Sequence, residues 1–423
     1  MNQLKDIYID LREEIFDALD AATLTEIGHE ELHKQLTSSV NVLIDRSRLG
    51  VSSAHRSELV NALLAELKGL GPLQVLLEND NISDIMVNGP NNVFIEMNGK
   101  IQKSAVQFVN EKQLNSIAKR IAGSVGRRID ESRPLCDARL SDGSRVNIVI
   151  PPLALDGTSI SIRKFKEQKI RLEHLVQFGA LSVRMAKLLS IASHCKCNIL
   201  ISGGTGSGKT TLLNALSAFI GESERVVTIE DAAELQLQQP HVVRLETRQS
   251  SVEGTGEVTA RDLVINSLRM RPDRIIVGEC RGGEAFEMLQ AMNTGHDGSM
   301  STLHANTPRD AIARVESMVM MATSTLPVDA IRRTIVSAVD LIVQVKRLHD
   351  GSRRIMCVTE VVGLEENNVV LEDIFRYEAS GECGEDSWHP DGEYRCLGLS
   401  TRSVIYERAK YFSMDSTVRE LFS

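Results

Sequence analysis

Apolar residues recur at three- and four-residue intervals through the first 68 positions. Val60, Leu63, Leu64 and Leu67 repeat with the period of a helix that buries one face. The pattern stops at Gly69-Leu70-Gly71-Pro72, a helix-breaking run, and short alternating segments follow. Asn98-Gly99 lies between the strand-like arms of Val93 to Lys103, a strong hairpin signal. Asp142-Gly143 repeats the device ahead of Val146, Ile148 and Ile150, and Ile160 and Ile162 alternate with polar neighbours in a further strand. Between the two hairpins, Leu114, Ile117, Ala118 and Ile121 trace an amphipathic helix.

Beyond a charge-dense connector, Lys164 to Arg171, the rhythm changes again. A helix with Leu181, Met185, Leu188 and Leu189 precedes the strand Asn198 to Ile201. Next comes a helix carrying Leu212, Leu213, Leu216, Phe219 and Ile220. Val226–Ile229, Arg274–Val277, Met300–Leu303 and Leu341–Val345 are further apolar strands. Strands alternating with helices predict an α/β domain, a mostly parallel sheet covered on both faces. The expected organisation is therefore a helical N-terminal segment (1–68), a smaller α+β N-terminal domain (69–165), a linker (166–178), an α/β domain (179–377) and a tail (378–423) that lacks clear periodicity.

Composition narrows the function. The 423 residues carry 48 Lys plus Arg against 57 Asp plus Glu, a net charge of −9, and only 4% are aromatic. That balance offers little cationic or stacking surface, so no nucleic-acid partner is expected. No run approaches the ~18 apolar residues of a membrane span, and acidic Asp10, Glu13 and Glu14 come too early for a secretory signal. The seven cysteines are scattered without a CxxC pair, which suggests neither a zinc ribbon nor a disulfide framework. A cytoplasmic protein is expected.

The chemistry begins at Gly203-Gly204-Thr205-Gly206-Ser207-Gly208-Lys209-Thr210, which satisfies GxxxxGK[ST] between an apolar strand and an amphipathic helix. Its glycines let successive N–H groups point at phosphate oxygens, and the helix N-terminus adds its dipole. Lys209 is placed to reach the β- and γ-phosphates, Thr210 to ligate Mg²⁺, and Thr211 continues the binding segment. ATP and Mg²⁺ are the expected ligands.

Ligands of parallel sheets sit at the carboxyl ends of strands. Val226–Ile229 runs into Glu230-Asp231, and Arg274–Val277 runs through Gly278 into Glu279. Isolated strand-end carboxylates are common; two beside a phosphate loop point to hydrolysis. Glu279 takes the water-orienting role, with Glu230 in support and on the Mg²⁺ shell. His296 and His304 flank the strand at Met300–Leu303, and an imidazole there suits sensing of the γ-phosphate. Metal ligation is the rival role, but no second His pair or Cys completes a site.

The ordered series GGTGSGKT, TIEDAAEL, RIIVGECRGGEA and TGHDGSMSTLHAN resembles the Walker A, Asp-box, Walker B and His-box motifs of the type II/IV secretion ATPase superfamily (GspE/PulE-like). These are motors of type II and type IV secretion and of type IV pilus assembly. The stretch MLQAMNTGHDGSMSTLHANTPRDA is most similar to the CpaF-like ATPase of the tight-adherence (Tad, Flp) pilus. The resemblance implies a RecA-like P-loop domain, a homohexamer, and an inner-membrane platform protein as the route to the membrane. It also implies that an arginine of the N-terminal domain contacts the γ-phosphate; Arg133, Arg139, Arg145 and Arg163 fall in that segment. Two departures stand out. Gly278 occupies the place where an Asp usually precedes the Walker B Glu, a feature the secretion superfamily shares, and the tetracysteine module of many pilus-extension and type II motors is missing, which favours the Tad-like or type IV secretion branches. The expected function is an ATP-hydrolysing motor for Tad-type pilus assembly, with type IV secretion as the alternative. A nucleic-acid translocase or a non-hydrolysing nucleotide-binding regulator stands further off.

Overall fold

The structure is a computed structural model that describes residues 2–18, 27–47, 50–97, 99–165, 170–248, 256–323, 325–379 and 392–423. Asn98 of the expected hairpin, residues 166–169 of the expected connector, and Cys383 lie outside the described residues. The chain divides into two compact units, Met1–Glu167 and Gln168–Ser423.

The first unit opens with helices α1 (Asn2–Ala18), α2 (His29–Ser47) and α3 (Ser53–Lys68). Each presents one apolar stripe at helical spacing: Ile7, Leu11 and Ile15; Leu32, Leu36, Val40 and Ile44; Leu59, Val60, Leu63 and Leu64. The three stripes share one core. After α4 (Leu73–Glu78), strands β1 (Ile82–Asn88), β2 (Val93–Met97) and β3 (Lys100–Lys103), helix α5 (Glu111–Ser124) and strands β4 (Leu135–Arg139), β5 (Arg145–Val149) and β6 (Ser159–Arg163) complete the unit. The sheet is antiparallel in the order β3-β2-β1-β6-β5-β4. Gly143, at φ +88°, makes the β4–β5 turn that its Asp-Gly signal predicts. Helix α5 lays Leu114, Ile117 and Ile121 against Ile85, Val87, Val146, Ile148, Ile160 and Ile162.

A buried carboxylate ties α1 and α3 to α5. Glu66 of α3 accepts from Tyr8 (2.6 Å) and Arg12 (2.7 Å) of α1 and from Gln113 of α5 (2.6 Å). Removed from water, such a group is tolerable only because its oxygens are satisfied by these donors.

The second unit runs α6 (Leu172–Gln177), α7 (Val183–His194), β7 (Ile199–Gly203), α8 (Lys209–Ser217), β8 (Val226–Glu230), β9 (Val242–Glu246), α9 (Ala260–Ser267), β10 (Arg274–Val277), α10 (Glu284–Asn293), β11 (Met300–Leu303), α11 (Pro308–Ala322), α12 (Val328–Ala338), β12 (Leu341–Arg347), β13 (Arg353–Glu365), β14 (Asn368–Ala379), β15 (Gly392–Cys396), α13 (Val404–Tyr411) and α14 (Asp415–Phe422). Its sheet has the order β15-β14-β13-β12-β7-β11-β10-β8-β9. The six strands from β12 to β9 are mutually parallel, and β13 to β15 add antiparallel strands at one edge.

The continuously apolar strands serve both faces. Ile199, Ile201, Leu341 and Val343 join one core with α7, α8, α13 and α14, while Leu200, Ile342, Val227 and Ile229 join the other with α10, α11 and α12. The 404–423 stretch, which no periodicity assigns from sequence, is part of this core. Ile405, Ala409 and Val418 are fully buried, and Phe422 stacks near Phe375 at 6.0 Å. Glu360 on β13 accepts from the Ser403 hydroxyl (2.8 Å) and the Ile405 N–H (3.0 Å). Arg408 reaches Asp297 (3.1 Å) and Asp340 (2.9 Å). Likewise Leu172–Gln177, within the expected linker, is helix α6, with Leu172 buried in the same core.

Candidate active site

The carboxyl ends of β7, β8, β10 and β11 lie side by side, and the residues that follow them build the site. The first is the loop after β7. Gly206 and Gly208 take φ +68° and +99°, a left-handed region that residues with a Cβ rarely enter, so the loop can curl back on itself. Gly203 permits a close approach: a Cβ there would stand 2.3 Å from the Val345 carbonyl oxygen. The Lys209 ammonium donates to the Gly203 (3.0 Å) and Gly204 (2.9 Å) carbonyls, so it sits inside the loop that the sequence motif defines. Burial lowers its pKa, with Glu279 opposing and Arg281 reinforcing the shift. Thr210 and Thr211 follow it in the first turn of α8.

The second arm is carboxylate. Glu279, just beyond β10, has Oε1 2.5 Å from His304 Nε2. Its Oε2 accepts from Arg281 Nε at 2.8 Å, with Nη2 of the same ion pair at 2.5 Å. Arg281 reaches on to Asp231 at 3.2 Å. Lys209 Nζ comes within 3.4 Å of the same His304 nitrogen. Burial and then the Lys209 charge hold the His304 pKa below the ordinary histidine value, Glu279 acting the other way. His304 Nε2 thus lies between the Glu279 carboxylate and the Lys209 ammonium.

Glu230, at the end of β8, is 5% exposed. Its Oε1 accepts the N–H groups of Glu234 and Leu235, both at 2.8 Å. Its Oε2 is buried with no hydrogen-bond partner among the described residues. Burial pushes its pKa up to about 7 despite the two amides. A buried, half-satisfied carboxylate one strand from Glu279 has the acceptor chemistry that a hydrated divalent cation requires. The same side chain explains Gly278: a Cβ at that position would meet Glu230 Cγ at 2.9 Å. Where an Asp usually precedes the Walker B Glu, Glu230 from the adjacent strand fills the space.

His304 follows Leu303, which pairs with Ser202 next to the phosphate loop. His296 precedes the other end of the same strand, ~13 Å away at ~3.3 Å per residue, with its Nδ1 3.3 Å from the Ala291 carbonyl at the end of α10. The structure therefore brings Lys209, His304, Glu279 and Glu230 to one end of the sheet, and His296 to the opposite end. Arg281 and Asp231 belong to the cluster without having been singled out from sequence. Their signal is position alone, each within two residues of a strand-end carboxylate. Beside the loop, Leu175, Phe178, Leu181, Leu212, Val345 and Ile355 line a recess of about 230 Å³, an apolar surface suited to a planar base.

In the first unit, Arg139 pairs with Arg145 across β4–β5, Arg145 with Arg163 across β5–β6, and Arg163 with Asp84 across β6–β1. Directly opposed residues share a face, so three of the four expected arginines form one row on the outer side of the sheet. Arg145 pairs with Asp137 at 2.9 Å and Arg163 with Asp84 at 3.3 Å, while Arg139 donates to the Gly143 carbonyl at 3.2 Å. Arg133 is outside the row, in the turn where its backbone bonds Asp130.

A parallel sheet with a glycine-rich loop, an embedded lysine and acidic residues at adjacent strand ends defines a P-loop nucleotide-binding protein of the α/β class. Residues 66–418 match the family described as type II/IV secretion system protein, and the chain belongs to that family of secretion ATPases. A Mycobacterium tuberculosis (strain H37Rv) protein, named provisionally as a conjugal transfer protein, is 38% identical over 302 residues, covering 70% of this chain and 85% of its own. The type IV secretion system protein VirB11 of Bartonella henselae is 35% identical over 324 residues, covering 67% and 89%. Among solved structures, the VirB11 ATPase of the Brucella suis type IV secretion system, in complex with sulphate, is 31% identical, with a TM-score of 0.37 over 70% of this chain and 97% of that one. The superfamily is the one that the four motifs indicate; these relatives carry the names of conjugal transfer and type IV secretion, not of tight-adherence pili.

Proposed function

We propose that the protein hydrolyses ATP and uses the energy as a ring-forming motor of a secretion or pilus system. The observation that carries this reading is the meeting of Lys209, His304 and Glu279 around a complete phosphate loop. The loop amides and Lys209 bind the triphosphate, whose phosphates displace the Gly203 and Gly204 carbonyls from the ammonium. Thr210 and Glu230 are the residues that would hold Mg²⁺, which when bound neutralises phosphate charge. Glu279 orients the attacking water, and His304, in contact with both Lys209 and Glu279, reports the γ-phosphate to the carboxylate. A positioned carboxylate in a site with little water is the ordinary means of lowering this barrier. The row Arg139, Arg145 and Arg163, or Arg133 beside it, is the proposed source of the cation that neutralises transition-state charge when a hexamer assembles. No helix among the described residues is long and apolar enough to cross a membrane, so membrane attachment is assigned to an inner-membrane platform protein.

For the cargo, the motif run MLQAMNTGHDGSMSTLHANTPRDA favours a tight-adherence pilus, and the names of the relatives favour type IV secretion. The enzymatic test separates binding from turnover. Lys209→Ala should lose nucleotide binding or hydrolysis, while Glu279→Gln should bind ATP and turn it over slowly. Turnover by Lys209→Ala at the wild-type rate would remove the site assignment. Loss of pili in a deletion strain, with conjugation and effector export intact, selects the pilus reading; the converse selects secretion.

A further inference from the structure

The Glu279 carboxylate is held by two arms of different character. Its Oε1 lies 2.5 Å from His304 Nε2, which also lies beside Lys209. Its Oε2 accepts from Arg281 Nε at 2.8 Å, with Nη2 of the same guanidinium 2.5 Å away in the ion pair, and the remaining nitrogen is tied to Asp231 at 3.2 Å. Two nitrogens of one planar guanidinium hold that oxygen more firmly than a single flexible point charge does. The turn that carries Arg281 is fixed as well: Glu284, at the start of α10, accepts the N–H groups of Arg281 (2.5 Å) and Gly282 (2.8 Å).

We propose that Arg281, braced by Asp231, is a positioning residue for hydrolysis: it locks Glu279 Oε2 so that Oε1 is the oxygen presented to water once His304 turns to the phosphate. This rests on the hydrolysis reading above. The division of labour follows from the geometry. The His304 contact is to a ring that has a second anion to choose when a triphosphate arrives. The Arg281 contact sets two guanidinium nitrogens on one oxygen with a second carboxylate behind them, so it stays in place while Oε1 is released. The Arg281 side chain is 59% exposed and Asp231 48% exposed, so their pair adds little to folding stability. Their effect should therefore appear in turnover and hardly at all in unfolding.

The test is steady-state ATP hydrolysis by the full chain for wild type, Arg281→Ala, Arg281→Lys, Asp231→Asn, Glu279→Gln and the Arg281→Ala/Glu279→Gln pair, with thermal midpoints measured alongside. Loss of an orienting contact costs on the order of 10- to 100-fold in rate. Arg281→Ala should lower kcat by about that factor with KM changed less than about twofold, and Arg281→Lys should recover part of it. Asp231→Asn should lower kcat in the same direction but less. Adding Arg281→Ala to Glu279→Gln should lower kcat no further, because the arginine acts through that carboxylate. Wild-type kcat in Arg281→Ala, a rise in KM alone, or a full further loss in the pair would overturn the proposal. A wild-type protein without turnover would overturn the hydrolysis reading, and this proposal with it; turnover in wild type with an indifferent Arg281→Ala overturns this proposal alone.

Discussion

Replacing Gly278 by Ala tests how the site is built around Glu230. An ideal Cβ at position 278 falls 2.9 Å from Glu230 Cγ, 3.4 Å from Oε1 and 3.6 Å from Cβ. The first distance is below any ordinary carbon–carbon contact, so Glu230 or the backbone must yield. Glu230 cannot yield freely, because its Oε1 holds the Glu234 and Leu235 amides, both at 2.8 Å. Overpacking at such a position costs about 1–3 kcal/mol. In a unit the size of Gln168–Ser423 each kcal/mol lowers the melting temperature by roughly 2–4 °C. The assay is a double-mutant cycle in thermal or urea unfolding with Gly278→Ala, Glu230→Ala and the pair. Once the Glu230 side chain is gone the added methyl has room, so the Gly278→Ala penalty should shrink by at least about 1 kcal/mol in that background. Gly278→Asp, which supplies the carboxylate that usually precedes a Walker B Glu, should be worse than Ala, since it sets a second charge against a carboxylate already short of partners. A Gly278→Ala variant as stable as wild type, or one whose penalty is the same with and without Glu230, refutes the claim that Glu230 fills the place of the missing Asp.

Three further outcomes follow from the geometry. The folded protein favours neutral His304, whose contribution is therefore present above the unfolded histidine value of ~6.5 and lost as pH falls below it; nucleotide-free wild type should lose stability relative to His304→Gln between about pH 7 and pH 5, and a gap that does not change with pH contradicts this. Burial alone would raise Glu224, but the hydrogen bonds and charge of fully buried Arg274 bring it down to about 2; Arg274→Met should cost about 3–5 kcal/mol at pH 7, a deficit that narrows in urea titrations as pH falls from about 4.5 towards 2 and wild-type Glu224 takes up its proton. Finally, Ile405→Ala should destabilise the chain by about 2–5 kcal/mol, whereas Tyr411→Ala, at a side chain that is 88% exposed in the same helix, should stay within about 0.5 kcal/mol; equal unfolding midpoints for the two would contradict the placement of α13 in the core.

What was legible in the sequence divides along a physical line. The phosphate loop is local: eight consecutive residues must supply positive-φ glycines, an amine and a hydroxyl, so Gly203 to Thr210 announce themselves. The largely apolar strands at Ile199, Val226, Arg274, Met300 and Leu341 are equally local, because a parallel strand buried on both faces carries few polar residues. The long β13 and β14 were not legible; they are antiparallel, half exposed and interrupted by bulges at Val358/Thr359 and Val361/Gly363, which breaks their alternation. The helices α13 and α14 are eight residues each, too short for a period to emerge, and their burial depends on a surface made by β13 and α7.

The site residues follow the same rule. His304 and Glu279 could be named because each directly ends a strand, while His296, with the same residue type and a neighbouring motif, ends up at the other end of β11 because strand direction decides which flank meets the phosphate loop. Arg281 and Asp231 were not named, since the pair that joins them spans 50 positions and nothing local marks either as more than a neighbour of a strand-end carboxylate. The absence of an Asp before Glu279 is the sharpest case. In one dimension it is a departure from a motif; in the sheet, Val277 pairs with Ile229, so the residue after each falls side by side and Glu230 occupies the volume that Gly278 leaves. A carboxylate needed at a point in space can be supplied from the neighbouring strand, and the glycine is the mark that it has been.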